Sequence, residues 1–77
     1  MSATVETLLA LAAERFGRDR AALRASDDFF DALEIDSVDA MTLLTAVEER
    51  FGVEIPDYEV QDVRTFAALA LVIERRL

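Results

Sequence analysis

The chain has 77 residues, a net charge of −8 and neither cysteine nor histidine, which excludes disulfides, thiolate nucleophiles and the commonest metal ligand and general base. Its length predicts a single domain over residues 1–77, of modest stability because a chain this short buries only about 60% of its unfolded surface. No apolar run approaches the ~20 residues of a membrane span, and no basic stretch precedes an apolar one near the start, so we expect no membrane segment, no signal peptide and a cytoplasmic location.

The first predicted helix runs from about Ala3 to Phe16. Ser2 or Thr4 is its candidate N-cap, since a side-chain oxygen there accepts a bond from an early amide. Gly17 ends the helix, because glycine readily takes the left-handed conformation after a last turn. The apolar side chains recur at the spacing of one helical face: Val5, Leu8, Leu9, Ala12 and Phe16.

The connection from Arg18 to Asp36 has no long periodic pattern. Residues 21–23 favour a short turn of helix, and residues 27–31 are predicted to form a loop whose two phenylalanines fold back under the core. A connection this long in a compact domain is functional or packed by its own side chains, and we expect the second. The candidates for that packing are Leu23, Phe29, Phe30, Leu33 and Ile35.

The second long helix is predicted from Ser37 to Phe51 and ends at Gly52. Asp36 is the candidate N-cap, and Asp39 three residues later makes an approximate capping box. Both carboxylates also favour the positive end of the helix dipole. The core face repeats the spacing of the first helix: Ala40, Leu43, Leu44, Val47 and Phe51.

An exposed and mildly apolar strip lies off this core face and begins beside Ser37. It consists of Val38, Met41 and Thr45. Apolar side chains that face water beside a candidate site indicate a docking surface. The alternative is that they fill the edge of a small core.

The last third of the chain is predicted to hold an extended segment and two more helices. Val53–Pro56 is extended, because proline disfavours helix at the preceding residue. A short helix then covers about Asp57 to Gln61, with Asp57 as its possible cap. Thr65 caps a final helix to about Arg76, whose core face is Phe66, Leu69, Ala70, Ile73 and Leu77. Together these elements predict an all-α fold, a small antiparallel bundle of three long helices and one short helix.

Negative charge is concentrated in the middle of the chain. The segment from Asp27 to Asp62 holds twelve acidic residues and a single base, Arg50, for a segment charge of −11. Such a segment repels nucleic acid and anionic membranes and attracts partners with basic patches. The alternative is a solvated surface that keeps a small protein dispersed.

Catalysis by this chain is not predicted. Ser37 has neither histidine nor lysine in the chain to act as its base, and Asp36 and Asp39 are predicted to face water at a helix start, with no pocket to exclude solvent. The acidic residues between Asp27 and Asp36 do not have the spacing of a calcium loop, so no metal site is predicted either. The remaining chemistry is that Ser37 is modified by another enzyme, since a phosphodiester there would lie beside free helix amides. The alternative is that Ser37 only helps to cap the helix.

The stretch from Leu33 to Asp57 resembles the acyl carrier protein family, whose members carry 4'-phosphopantetheine on the serine of an Asp-Ser-Leu motif. Here the motif is Asp36-Ser37-Val38, with valine in place of leucine. The resemblance covers nearly the whole chain, because length, acidity and helix order agree as well. Further matching residues are Asp39, Glu48-Glu49, Phe51, Ile55-Pro56-Asp57 and Thr65.

The resemblance implies that Ser37 is the attachment point of an arm supplied from coenzyme A by a phosphopantetheinyl transferase. The thiol of the arm would carry acyl groups as thioesters, and an apolar interior between the second and third helices would shelter part of the acyl chain. It implies a monomer that meets an acyl-loading ligase or acyltransferase and synthase or tailoring enzymes with basic docking patches. The residues expected to meet these partners are Asp36, Val38, Asp39, Met41 and Glu48.

Three departures from the family pattern bear on the pathway. Glu34 stands where members often have glycine, Thr42 where fatty-acid carriers usually have glutamate, and Tyr58 where a carboxylate is more usual. These departures favour a freestanding carrier of polyketide or other specialised biosynthesis over a fatty-acid carrier. Asp36 argues against the peptidyl carriers, but a carrier of a ligase-activated amino acid stays open. The alternative of another class is a non-covalent, acidic interaction module.

Overall fold

The structure, a computed structural model, describes residues 2–77, and four α-helices in that range enclose one apolar core. The all-α prediction is confirmed. None of the helices described is long and apolar enough to cross a membrane. Two 3₁₀ turns cover Arg20–Ala22 and Asp57–Glu59, and the helices are α1 (Ala3–Phe16), α2 (Phe29–Leu33), α3 (Ser37–Phe51) and α4 (Phe66–Arg76).

The long helices begin and end where the sequence predicts. The Ser2 hydroxyl accepts a hydrogen bond from the Val5 amide at the start of α1, and Thr65 Oγ1 accepts one from the Ala68 amide at the start of α4. Gly17 and Gly52 follow α1 and α3 with φ of 65° and 67°, the left-handed conformation that only glycine adopts without a steric cost. The predicted boundaries of α1 and α3 are therefore confirmed.

The core forms where the predicted faces of α1, α3 and α4 meet, and α1 contacts the other three helices. Five predicted residues at the margins are only half-buried: Val5, Phe16, Ala40, Leu44 and Phe51. The prediction for Leu77 is wrong: its side chain is 68% exposed, because α4 ends at Arg76 and the last residue leaves the helical face. The spacing also missed three buried apolar residues beside the main stripes of the long helices: Ala13, Ala46 and Val72.

The predicted loop over residues 27–31 is wrong from Phe29 onwards, where α2 begins. The Asp28 carboxylate caps this helix by accepting hydrogen bonds from the amides of Phe30 and Asp31. Phe29 is buried and Phe30 half-buried, so the predicted packing of both rings against the core is confirmed. A helix of five residues is too short for a periodic pattern to reveal it.

The segment after α3 also differs from its prediction. The 3₁₀ turn ends at Glu59, short of Gln61, and its N-cap is Pro56, which has no side-chain hydrogen bond to offer, so the prediction that Asp57 caps it is wrong. The turn is tied to α4 by Arg76, whose Nη2 lies 2.5 Å from Glu59 Oε2. That hydrogen-bonded ion pair raises the pKa of Arg76 above its usual value.

Candidate functional site

Ser37 is the first residue of α3, and its side chain is exposed. The cap is provided by Asp36, whose Oδ1 accepts a hydrogen bond from the Asp39 amide at 2.9 Å. No side-chain hydrogen bond of Ser37 is found within residues 2–77, and none runs from Asp39 back to Asp36, so the capping box is only half formed. The Ser37 hydroxyl is therefore not used for capping and faces solvent.

Two backbone amides at the start of α3 are available to bind a negative group beside Ser37. The Ala40 amide donates to the Asp36 carbonyl and the Asp39 amide to the Asp36 carboxylate. In the described part of the chain the amides of Ser37 and Val38 have no acceptor. Side chains in a helix tilt towards its N-terminus, which places a phosphodiester on Ser37 Oγ near these two donors. The residues present thus fit a phosphate-linked group.

The approach to Ser37 is fixed by an unusual backbone at Glu34. Its φ of 57° is the one positive value at a non-glycine residue in the described range. The Glu34 amide donates to the carbonyls of Phe30 and Asp31 and closes the end of α2. Arg18 Nη2 binds the Leu33 carbonyl at 2.7 Å and lies 4.0 Å from Glu34 Oε1. Glu34 departs from the family pattern and is visible in the sequence, whereas Arg18 carries no local signal for this contact.

A cavity of about 220 Å³ opens on the face of α3 that begins at Ser37. Residues three, four and seven positions further along a helix share a face with the first, and three such residues line the cavity: Ala40, Met41 and Leu44. The other walls come from α2, from the second 3₁₀ turn and the segment after it, and from Leu69 of α4. Apart from Asp57, every lining side chain is apolar, so the cavity suits an apolar group.

Four of the five predicted partner-binding residues lie together around the first two turns of α3. Asp36 and Asp39 are exposed carboxylates, and Val38 and Met41 are 72% and 63% exposed. This exposure leaves the strip accessible to a partner, although Met41 also lines the cavity, and the docking role of the strip stays a prediction. Glu48 differs, because it is half-buried and its Oε2 accepts a hydrogen bond from the Ile55 amide at 2.8 Å. The role of Glu48 in partner binding stays a prediction, and its carboxylate already makes an intramolecular hydrogen bond.

Arg64 makes a contact at the edge of the cavity that the sequence does not predict. Arg64 Nε donates to Asp28 Oδ2 at 2.7 Å, and the guanidinium carbon lies 4.6 Å from the centre of the Phe30 ring. The hydrogen bond from Arg64 holds the pKa of the Asp28 carboxyl below its usual value. Arg64 and Asp28 are 36 residues apart, so no local pattern could have paired them.

The sequence is similar to one family model and to several known proteins. The family model described as the phosphopantetheine attachment site matches residues 6–73. The acyl carrier protein of Tropheryma whipplei (strain Twist) is 34% identical over 61 residues, which cover 79% of this chain and 74% of that protein. The acyl carrier protein of Myxococcus xanthus is 42% identical over 52 residues, 68% of this chain and 66% of that protein.

A third relative matches along almost the full length of both chains. The acyl carrier protein of Helicobacter hepaticus (strain ATCC 51449 / 3B1) is 32% identical over 71 residues, 92% of this chain and 93% of that protein. The family match covers both the helix that begins at Ser37 and the helices that pack around it. This chain therefore belongs to the acyl carrier protein family, whose members are carriers with a covalently attached 4'-phosphopantetheine group.

Proposed function

We propose that Ser37 carries the 4'-phosphopantetheine group and that the chain acts as a single carrier domain over residues 1–77. The observation that supports this most directly is that Asp36, and not Ser37, caps the start of α3. Asp36 caps the helix, which leaves the neighbouring Ser37 hydroxyl exposed and free of side-chain hydrogen bonds in the described residues. The terminal thiol of the arm supplies the thiol that this cysteine-free chain lacks, and it holds acyl groups as thioesters.

The attachment is a phosphoryl transfer from coenzyme A. Ser37 Oγ forms a bond to the phosphorus next to the pantetheine, the phosphoric anhydride bond breaks, and 3',5'-adenosine bisphosphate leaves. The hydroxyl proton passes to a base of the transferase, because this chain has neither histidine nor lysine. This chain contributes an exposed hydroxyl on a rigid helix end, with two amides to stabilise the negative phosphodiester.

The partners we propose are a phosphopantetheinyl transferase, an acyl-loading ligase or acyltransferase, and synthase or tailoring enzymes. Each must approach the end of α3, where Asp36 and Asp39 flank the attachment point and Val38 and Met41 add an exposed apolar surface. The segment charge of −11 around this helix favours partners with basic patches. Such charge accelerates encounter, while burial of the two apolar side chains adds affinity.

The pathway we favour is polyketide or other specialised biosynthesis. Thr42 is exposed on the outer face of α3, between Val38 and Thr45, and its Oγ1 donates to the Val38 carbonyl at 3.4 Å. A fatty-acid carrier usually presents a glutamate there, so partners of this chain meet a less acidic helix face. The alternatives are fatty-acid synthesis and the carriage of a ligase-activated amino acid. Under each of these, the cavity beside α3 would shelter part of the cargo.

The test is the intact mass of the protein after incubation with coenzyme A and a broad-specificity phosphopantetheinyl transferase. We expect the wild type to gain one phosphopantetheine and Ser37→Ala to gain none, with an unchanged melting temperature because Asp36 still caps α3. Ser26→Ala is the matched control, since Ser26 is also exposed but lies outside α3, and it must be modified like the wild type. No gain in the wild type, with the transferase active on another carrier, would reject the proposal and favour the non-covalent interaction module.

A further inference from the structure

The side of the cavity formed by α2 consists of two aromatic rings with different support. Phe29 is 6% exposed, and its ring lies 5.8 Å from the ring of Phe66 in the core. Phe30 is half-buried, lies 4.9 Å from Phe29 between ring centres and sits under the Arg64 guanidinium at 4.6 Å. Both rings pack against the core, but Phe29 is buried, whereas Phe30 is half-buried and is also covered by the Arg64 side chain at the surface.

Arg64 is held in place over Phe30 from two directions. Its Nε is bonded to Asp28, the residue that caps α2, and its carbonyl accepts a hydrogen bond from the Phe29 amide at 2.8 Å. It also lies between Val63, which lines the cavity, and Thr65, which caps α4. Arg64 thus links the start of α2 to the residues just before α4, and its guanidinium covers the Phe30 ring.

The cavity is small for an acyl group. At the ~30 Å³ that a water molecule occupies in the liquid, a volume of about 220 Å³ holds roughly seven non-hydrogen atoms. A hexanoyl group or a single aromatic ring fills that space, and a long fatty chain leaves most of its length outside. Ser37 begins the face of α3 that lines the cavity. An acyl group carried on a phosphopantetheine attached to Ser37 is therefore the occupant that we expect for the cavity.

We infer that Phe30, positioned by Arg64, limits the cavity to short acyl or single-ring cargo and so acts as a specificity-determining residue of this carrier. The inference rests on the proposed attachment at Ser37. Removal of the Phe30 ring extends the cavity towards the surface, because this half-buried ring lines the cavity and lies under the exposed Arg64 side chain. Arg64 is the positioning residue, and its loss lets the ring move.

The experiment loads the carrier enzymatically with acetyl, butyryl, hexanoyl, octanoyl, decanoyl and dodecanoyl groups and measures the rate of thioester cleavage by hydroxylamine. Each further buried methylene raises the ratio of sheltered to exposed cargo by up to about fourfold. We expect cleavage of the wild-type thioester to slow up to hexanoyl or octanoyl and then to level off. In Phe30→Ala the levelling-off point moves to decanoyl or longer. A wild-type rate that continues to fall through dodecanoyl overturns the inference.

Phe51→Ala is the matched control, because it removes an equal, half-buried ring at the far end of α3 that does not line the cavity. The cleavage rate of Phe51→Ala must level off at the same acyl chain length as that of the wild type. If the cleavage rate of Phe30→Ala also levels off at the wild-type chain length, the inference is overturned. Phe30→Leu replaces Phe30→Ala if the latter does not fold. Arg64→Gln tests the positioning role: we expect a less sharp dependence on chain length, with partial recovery in Arg64→Lys. A sharp wild-type profile in Arg64→Gln removes Arg64 from the inference.

A chemical series separates this inference from the proposed function. The chain has no cysteine, so Ser37→Cys supplies a single thiol for maleimides that carry the same acyl series on a pantetheine-like linker. The melting temperature of the labelled protein is then expected to rise with acyl chain length and to stop rising at the length where the cleavage rate levels off. In Phe30→Ala the rise is expected to continue to a longer acyl chain. Failure of enzymatic loading with success of the chemical series rejects the carrier function alone. A melting temperature independent of chain length rejects the cavity as the cargo site.

Discussion

At the residue scale, Glu34 adopts a backbone conformation that is costly for any side chain with a Cβ. Its φ of 57° belongs to the left-handed region, where the Cβ crowds the backbone at a cost of about 1–2 kcal/mol. The conformation is needed because the chain must turn from the end of α2 to Asp36 within two residues. The Arg18 contact, 4.0 Å away on an exposed side chain, returns little of that cost.

Glu34→Gly is therefore predicted to be more stable than Glu34→Ala by about 1 kcal/mol in free energy of unfolding. Both variants remove the same charge and the same contact with Arg18, so their difference isolates the backbone conformation. Denaturant unfolding monitored by circular dichroism measures it. An alanine variant as stable as the glycine variant would mean that the turn before Ser37 carries no conformational cost.

At the scale of elements, α2 depends on its tertiary contacts. A helix of five residues cannot form alone, because nucleation costs more than one turn of hydrogen bonds returns. Backbone hydrogen bonds connect the residues around its start to the start of α4: Phe29 amide to Arg64 carbonyl, and Phe66 amide to Asp27 carbonyl. The pair of Asp28 and Arg64 joins the same two elements through side chains. The wall of the cavity thus exists only in the folded chain.

The stability added by Asp28 is predicted to depend on pH. Arg64 holds the folded-state pKa of Asp28 below the ordinary 3.8, so the contribution is complete above that value and is lost as the pH falls through the lower, folded-state pKa. Asp28→Asn keeps a capping oxygen and removes this dependence. We expect the gap in melting temperature between wild type and Asp28→Asn to shrink below pH 3.8.

Asp62→Asn is the control for this prediction, because it removes one negative charge at an exposed position that has no side-chain hydrogen bond in the described range. Protonation of the other carboxylates relieves repulsion equally in both variants. A gap between wild type and Asp28→Asn that stays constant down to the lowest pH measured would show that the ion pair with Arg64 contributes nothing to folding.

The sequence predicts the elements that carry their own signal. The boundaries of α3 follow from Asp36, from Gly52 and from a repeated apolar face, and the position of Ser37 follows with them. The helix α2, the left-handed Glu34 and the Arg64 contact depend on residues that are distant in sequence, and a single chain shows no pattern for them. The hydrogen bond from the Ile55 amide to the Glu48 carboxylate spans only seven residues, but it forms across the turn at Gly52, where the helical spacing predicts no partner for Glu48.

At the scale of the whole molecule, negative charges lie close together. The principal extents are 27 × 26 × 20 Å, and the segment from Asp27 to Asp62 carries a charge of −11 within that volume. Within residues 2–77, four ion pairs connect arginines to carboxylates, and three of them involve this segment: Arg18 with Glu34, Arg64 with Asp28 and Arg76 with Glu59. Repulsion among the remaining carboxylates opposes folding at low salt.

Added salt is therefore predicted to stabilise the protein. The Debye length falls from about 30 Å at 0.01 M, longer than the molecule, to about 10 Å at 0.1 M, so most of the effect belongs to that interval. A gain on the order of 1 kcal/mol corresponds to a rise in melting temperature of roughly 4–8 °C. The double variant Glu54→Gln/Asp62→Asn removes two exposed charges from the acidic segment and should respond less to salt than the wild type. If the wild-type melting temperature instead stays level or falls as salt is added, the attraction within the ion pairs outweighs the repulsion among the carboxylates. The acidic segment then does not lower the stability of the folded state.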